Sequence, residues 1–270
     1  MDSEDFNNTQ KNISYHSNRK IKSISWEIEG KKHNENGPAY QEWNDQGRLI
    51  EEKWAVNGKY HNENGPACKE WDNQGQLIEE IWALNGNKHN KNGPAYRKWN
   101  NEGQLIEEQW YLYGNPHNKN GPARRIWNDQ GLLVRELWMI NGNYHNKNRP
   151  AWRIWNDQGQ LFMERWYLLG KVYNENGPAY QEWNNQGQLI KREWKINNEL
   201  HNENNPSLQE WNDQGQLIKE IWYLHDQIHN ENGPAWKKWN DQGQLVKCEY
   251  YLYDQLQPDP KWKNVKSANM

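Results

Sequence analysis

The stretch His33-Asn34-Glu35-Asn36-Gly37-Pro38-Ala39-Tyr40-Gln41-Glu42-Trp43-Asn44-Asp45-Gln46-Gly47-Arg48-Leu49-Ile50-Glu51-Glu52-Lys53-Trp54-Ala55-Val56-Asn57-Gly58-Lys59-Tyr60 recurs eight times, with a 28-residue period and no insertion or deletion, as far as Leu256. Proline returns at 38, 66, 94, 122, 150, 178, 206 and 234, and tryptophan at 43, 71, 99, 127, 155, 183, 211 and 239. Every copy therefore meets its neighbours in the same geometry, and the chain is a repeat array. Gly, Asn and Pro are spaced too closely for helix, where Gly costs about 1 kcal/mol and Pro about 3 kcal/mol in the interior. They suit two strands per unit, Ala39 to Trp43 and Arg48 to Val56, joined by a turn at Asn44-Asp45-Gln46-Gly47. The expected fold is all-β: an elongated single-layer antiparallel sheet of eight β-hairpin repeats, with a two-sheet β-solenoid as the alternative.

Residues 1–20 read as a polar flexible tail. Residues 21–32 read as a cap strand, in which Trp26 stands one period before Trp54, and 33–256 as the repeats of one domain. From 257 to 270 a second tail follows, opened by Pro258 and Pro260. The 19 Trp and 14 Tyr stand against 2 Phe in a chain only 34% hydrophobic, so aromatic rows must carry most of the burial. Trp43, Trp54, Trp71, Trp82, Trp127 and Trp138 are the structural residues of these rows.

Two hairpin registers compete. If Trp43 pairs with Arg48, the two Trp columns share a face with positions 41 and 52, which form a polar ladder between them, and Gly37 lies under Trp54. This register is preferred on the face pattern. Leu49, present in all eight units, argues for the other, in which a bulged three-residue turn sets Leu49 beside Trp43 and separates the Trp columns.

The run Trp43-Asn44-Asp45-Gln46-Gly47-Arg48-Leu49-Ile50-Glu51-Glu52-Lys53-Trp54-Ala55-Val56-Asn57-Gly58 resembles the variant MORN (membrane occupation and recognition nexus) repeat, aromatic-x-x-Asn-Gly-x-Leu-x-x-Glu-x-aromatic-x-x-Asn-Gly. The resemblance covers all eight units, with Trp where that family usually has Tyr, Gly-Pro-Ala for its frequent Gly-x-Gly, and a longer period. It implies a twisted single-layer sheet that binds proteins and, in some members, is proposed to touch membrane headgroups. His-Asn-x-Asn-Gly-Pro-Ala arrays of this kind are familiar from large DNA viruses of protists, which implies a viral structural or assembly component in host cytoplasm or virion.

A formal charge of −3 gives no general attraction to nucleic acid. Cys68 and Cys248 occupy different positions of distant repeats and suggest a reducing compartment, and the absence of an apolar leader suggests a cytoplasmic protein. The histidine column His33, His61, His89, His117, His145, His201 and His229 places equivalent atoms about 9 to 10 Å apart, too far to share a zinc ion, so a loop-bonding role is expected. The turns lack calcium-loop spacing, and neither phosphate loop nor nucleophile triad is present. The expectation is no enzyme, no cofactor, no metal and no catalytic residue.

One irregularity suggests a binding edge. The third residue of the His-Asn-x-Asn loop is Glu except at Lys91, Lys119 and Lys147; Arg149 replaces Gly beside them, and Arg124, Arg125 and Arg153 share these units. From His89 to Arg165, 11 Lys or Arg face 7 Asp or Glu, a local excess of four. These residues are the candidate site for an acidic protein partner or an anionic headgroup. The function so read is a non-enzymatic scaffold for protein–protein interaction, with a carbohydrate- or choline-binding aromatic module as the alternative. An enzyme or toxin-neutralising partner concealed by the repeats is a third reading.

Overall fold

The computed structural model describes residues 9–259, in which there is no helix. The chain divides into two compact units, residues up to 133 with 139–142, and residues 134–138 with 143 onward. The division falls inside the fourth repeat, where the period shows no break.

The first repeat contains β4 (Tyr40–Trp43), β5 (Leu49–Lys53), β6 (Ala55–Val56) and β7 (Lys59–Tyr60), preceded by β1 (Gln10–Tyr15), β2 (Ile21–Ile28) and β3 (Lys31–Lys32). In the first unit the antiparallel order is β1, β2, β4, β5, then Cys68–Trp71, Leu77–Ile81, Tyr96–Trp99, Leu105–Gln109 and Arg124–Trp127. In the second unit the same ladder runs from Leu133–Leu137 through Trp152–Trp155 to Leu245–Leu252 and Gln255–Gln257. Each repeat carries a second, tight hairpin: β6, the end of the expected strand Arg48 to Val56, pairs with β7 around Asn57 and Gly58. Both turn residues have positive φ, 50° and 77°, as a primed two-residue turn requires, and Asn-Gly meets that demand with little strain.

The register joins parts of both expectations. Asn44 N–H donates to the Arg48 carbonyl at 2.9 Å and Gly47 N–H to the Asn44 carbonyl at 2.9 Å, a type I turn closed by Gly47 at φ 90°. This three-residue bulged turn pairs Trp43 with Leu49, not with Arg48. A second irregularity follows at once, because Glu42 pairs with Glu51 and Gln41 with Glu52. Ile50 is the extra residue, and its insertion restores the parity that the turn would have changed. The Trp columns consequently stay on one face: the Arg192 guanidinium, at position 52 of its unit, lies 4.7 Å from the Trp194 ring and 5.2 Å from that of Trp211.

The polar ladder of positions 41 and 52 is present and runs largely between neighbouring repeats. Arg97 meets Glu80 at 2.7 Å, Arg125 meets Glu108 at 2.8 Å, Lys237 meets Glu220 at 2.7 Å, and Arg192 donates to Gln209 at 2.7 Å. Within the first repeat Gln41 donates to Glu52 at 3.0 Å.

Among the described residues there is no thick core. All eighteen described tryptophans are half-buried, and the completely enclosed residues are small: Ala39, Ala67, Ala95, Ala151, Ala179 and Ala235 are each 0% exposed. Ala39, Ala67, Ala95, Ala179 and Ala235 lie where the backbones of adjacent strands are joined on both sides; Ala39 N–H donates to the Lys53 carbonyl and its own carbonyl accepts Trp26 N–H. Ser207 takes this place in the seventh repeat at 0% exposure, and its hydroxyl accepts Tyr223 N–H at 2.7 Å.

Two expectations need correction. Residues 10–15 are not tail but β1, which pairs along β2, and His16 to Lys20 repeat the Asn44 turn: His16 N–H donates to Lys20 O and Arg19 N–H to His16 O. Tyr15 and Arg19 occupy the places of Trp43 and Gly47, so the cap is a complete long hairpin. Gln257, expected to open the second tail, instead ends the strand Gln255–Gln257 and pairs with Tyr250, and residues 1–8 and 260–270 lie outside the described residues. The glycine of Gly-Pro-Ala has a different reason from the one expected: a Cβ on Gly37 would lie 3.2 Å from Asn34 Nδ2, and no indole approaches it.

Candidate functional site

Asn34 shapes the loop that most distinguishes this array. Its amide donates to the Pro38 carbonyl at 3.0 Å and its Oδ1 accepts Asn36 N–H at 3.1 Å, closing His33 to Pro38 into a compact bend. The same pair of bonds recurs at Asn62, Asn90, Asn118, Asn174 and Asn230. Where Arg149 and Asn205 replace the glycine, their N–H groups also turn to the Oδ1 of Asn146 and Asn202, at 3.2 and 3.0 Å.

The histidines anchor these loops to the tight hairpins. His33 Nδ1 accepts Asn57 N–H at 3.2 Å, and His61, His117 and His145 do the same for Asn85, Asn141 and Leu169. The same Nδ1 of His33 also lies 2.9 Å from Asn57 Oδ1, a contact repeated at His61 and His117, so the ring is held in place whichever nitrogen carries the proton. In the acidic loops Nε2 faces the glutamate two residues on, as His33 does Glu35 at 3.8 Å and His229 does Glu231 at 3.7 Å.

Burial lowers the His89 pKa from its ordinary 6.5, with Lys91 adding to it, and burial with His225 lowers that of His201. Both rings bind a proton less readily in the fold than in the unfolded chain, which takes it up near the ordinary value. The stability they contribute is therefore full above pH 6.5 and is lost as pH falls below it toward the depressed folded values. Urea midpoints should fall between pH 7.5 and 5.5, and the double change His89→Gln and His201→Gln should flatten that slope.

Successive loops enclose repeated grooves. In the first unit Asn34 and Glu35 form one wall and His61, Asn62, Glu63 and Asn64 the other, over a floor of Trp54 and Val56, about 340 Å³ in volume. In the second unit Lys147 and Glu175 face each other over Trp166 and Leu168 in about 450 Å³, and Glu203 and Glu231 over Trp222 and Leu224 in about 260 Å³. The apolar floor is constant and the wall charge changes. Such grooves can seat a side chain of a partner and select its charge, but they bring together no nucleophile, base and oxyanion donor.

The basic residues singled out in the sequence separate into two kinds. Lys91 and Lys119 in the first unit, and Lys147 and Arg149 in the second, are exposed on loops. No described carboxylate lies in ion-pair range of the three lysines. Arg124 and Arg125 instead lie on the sheet against Glu107 and Glu108, each at 2.8 Å, and Arg153 lies 3.9 Å from Glu136 and from Glu164. These three arginines hold strands together. The grooves themselves were missed in the sequence, although the constant Trp and the Glu or Lys at the third loop position are their signature.

No family model and no curated protein matches the chain. Among solved structures, the crystal structure of TcdB2-TccC3 and that of TcdB2-TccC3-Cdc42 are similar at 12% and 13% identity, both with a TM-score of 0.18. Each match covers 91% of this chain, which spans only 15% of the other.

Proposed function

We propose that this chain is a non-enzymatic repeat scaffold whose loop grooves hold a protein partner. The observation that carries the reading is the recurrence of one groove, with an unchanged indole floor, between walls that are acidic in the outer repeats and basic at Lys91, Lys119 and Lys147. Affinity then comes from several weak, like contacts, and specificity from the order of Glu and Lys along the partner. The resemblance to MORN-type arrays supports the same reading, which we extend to a part in the assembly of a virion. The aromatic-module reading is weaker because indoles on both faces already carry the chain's own cations: on the ladder face Arg192 lies near Trp194 and Trp211, and on the other face Lys247 lies 3.3 Å from the Trp236 ring.

The test is capture from native material by the intact chain, followed by the triple change Lys91→Glu, Lys119→Glu and Lys147→Glu. A partner selected by the basic loops should lose at least tenfold in affinity and bind more weakly as salt rises, while the melting temperature stays within a few degrees because these side chains are exposed. Unchanged capture by the triple variant would remove the basic loops from the interface.

A further inference from the structure

The other sheet face carries an arrangement that the repeat does not explain. Across four consecutive strands the directly opposed residues are Glu42, Glu51, Glu70 and Glu79. Like charges facing each other across strands destabilise a sheet. Three of the four are relieved by donors: Tyr40 Oη donates to Glu42 at 2.6 Å, Lys53 pairs closely with Glu51, and Tyr96 Oη donates to Glu79 at 3.1 Å. Glu70 has no hydrogen-bond or ion-pair partner among the described residues.

The reason lies two residues earlier. A tyrosine at this position serves its own strand in the first and sixth repeats, Tyr40 to Glu42 and Tyr180 to Glu182, each at 2.6 Å. In the second repeat Cys68 replaces it. Cys68 is 3% exposed and its thiol has no hydrogen-bond partner among the described residues. Its Sγ and one carboxylate oxygen each of Glu51 and Glu70 lie within 4.8 Å of one another. The buried unpartnered thiol and the uncompensated Glu70 carboxylate are thus two independent features that converge on one point.

We propose that Cys68, Glu51 and Glu70 bind one zinc-type divalent cation, with water completing a tetrahedral shell. Zinc bonds of about 2.3 Å to sulfur and about 2.0 to 2.2 Å to oxygen would draw the donors about an ångström closer together. Glutamate side chains, half-buried here, have the rotamer freedom to do so. The charges close: a thiolate and two carboxylates balance the dication and the neighbouring Lys53 ammonium. Binding transfers the thiol proton to solvent, so affinity rises with pH. Without a cation, burial, together with Glu70, pushes the Cys68 thiol up to about 12, and burial with Glu79 and Glu51 raises Glu70. A coordinated metal reverses both effects.

Cobalt(II) titration of the full chain bearing Cys248→Ser, which removes the exposed second thiol, tests the site. One equivalent should produce a near-ultraviolet thiolate-to-cobalt band and tetrahedral visible bands, both displaced by zinc. Cys68→Ser, close to isosteric, should abolish the near-ultraviolet band with unchanged far-ultraviolet circular dichroism, and Glu70→Gln should weaken binding at least tenfold. If no thiolate band forms, or if it survives Cys68→Ser, the site is refuted. Undiminished binding by Glu70→Gln removes Glu70 and with it the three-ligand assignment.

Discussion

Replacing Trp138 by alanine should lower stability by about 3 to 5 kcal/mol, near the upper range for loss of a large aromatic side chain. Its indole Nε1 donates to Glu136 at 2.7 Å, and its backbone joins two neighbouring segments, N–H to the Ala151 carbonyl at 2.7 Å and carbonyl from His145 N–H at 3.0 Å. Alanine keeps the backbone bonds but uncovers Glu136, the carboxylate facing Arg153. In a sheet without a thick core no second layer can close over the gap. Urea denaturation would measure the loss, and a cost below about 1 kcal/mol would mean that the indole is a surface group. Trp26 should behave as an interior residue and not as an end residue, because Lys11 of β1 stands opposite it. Trp239→Ala, in the last repeat, should cost less.

The second large effect is expected from too much volume. Ala95 is 0% exposed, its N–H donates to the Gln109 carbonyl at 2.8 Å, and its carbonyl accepts Trp82 N–H at 2.8 Å. A leucine there cannot be admitted without parting one of these strand contacts, so Ala95→Leu should cost about 2 to 3 kcal/mol. Ala95→Ser should cost less than about 1 kcal/mol, since Ser207 occupies the equivalent point with its hydroxyl satisfied. Denaturant midpoints of the pair separate packing from polarity. Equal stability of the leucine and serine variants would show that the alanine column is not tight.

Much of the fold was legible because repetition turns one chain into its own comparison. The 28-residue period, the Gly and Pro punctuation and the Trp columns determined an all-β array of hairpins before any contact was known. The polar ladder was legible for the same reason, from the exchange of Arg192 for Glu in a single copy. The loop-bonding role expected of the histidine column is present at His33, His61, His117 and His145.

Other features depended on interactions between residues that no local pattern joins. The register rested on two compensating irregularities, a bulged turn and an extra Ile50, and sequence periodicity reads only their sum. The cap hairpin escaped notice because His16 and Arg19 replace the Asn and Gly of the turn, and Arg19 is held at φ 64° by the neighbouring hairpin. That neighbour accepts His16 Nε2 at the Trp43 carbonyl, 2.8 Å away, and Asn18 Nδ2 at that of Asp45, 2.9 Å away. The grooves and the Cys68 cluster belong to the same class. Residues 51, 68 and 70 lie on adjacent strands, and only strand pairing brings a lone thiol against two carboxylates. Period and turn chemistry are local and are written in each copy; pairing, bulges and enclosed space are set by free energy summed across strands, and only the tertiary structure decided them.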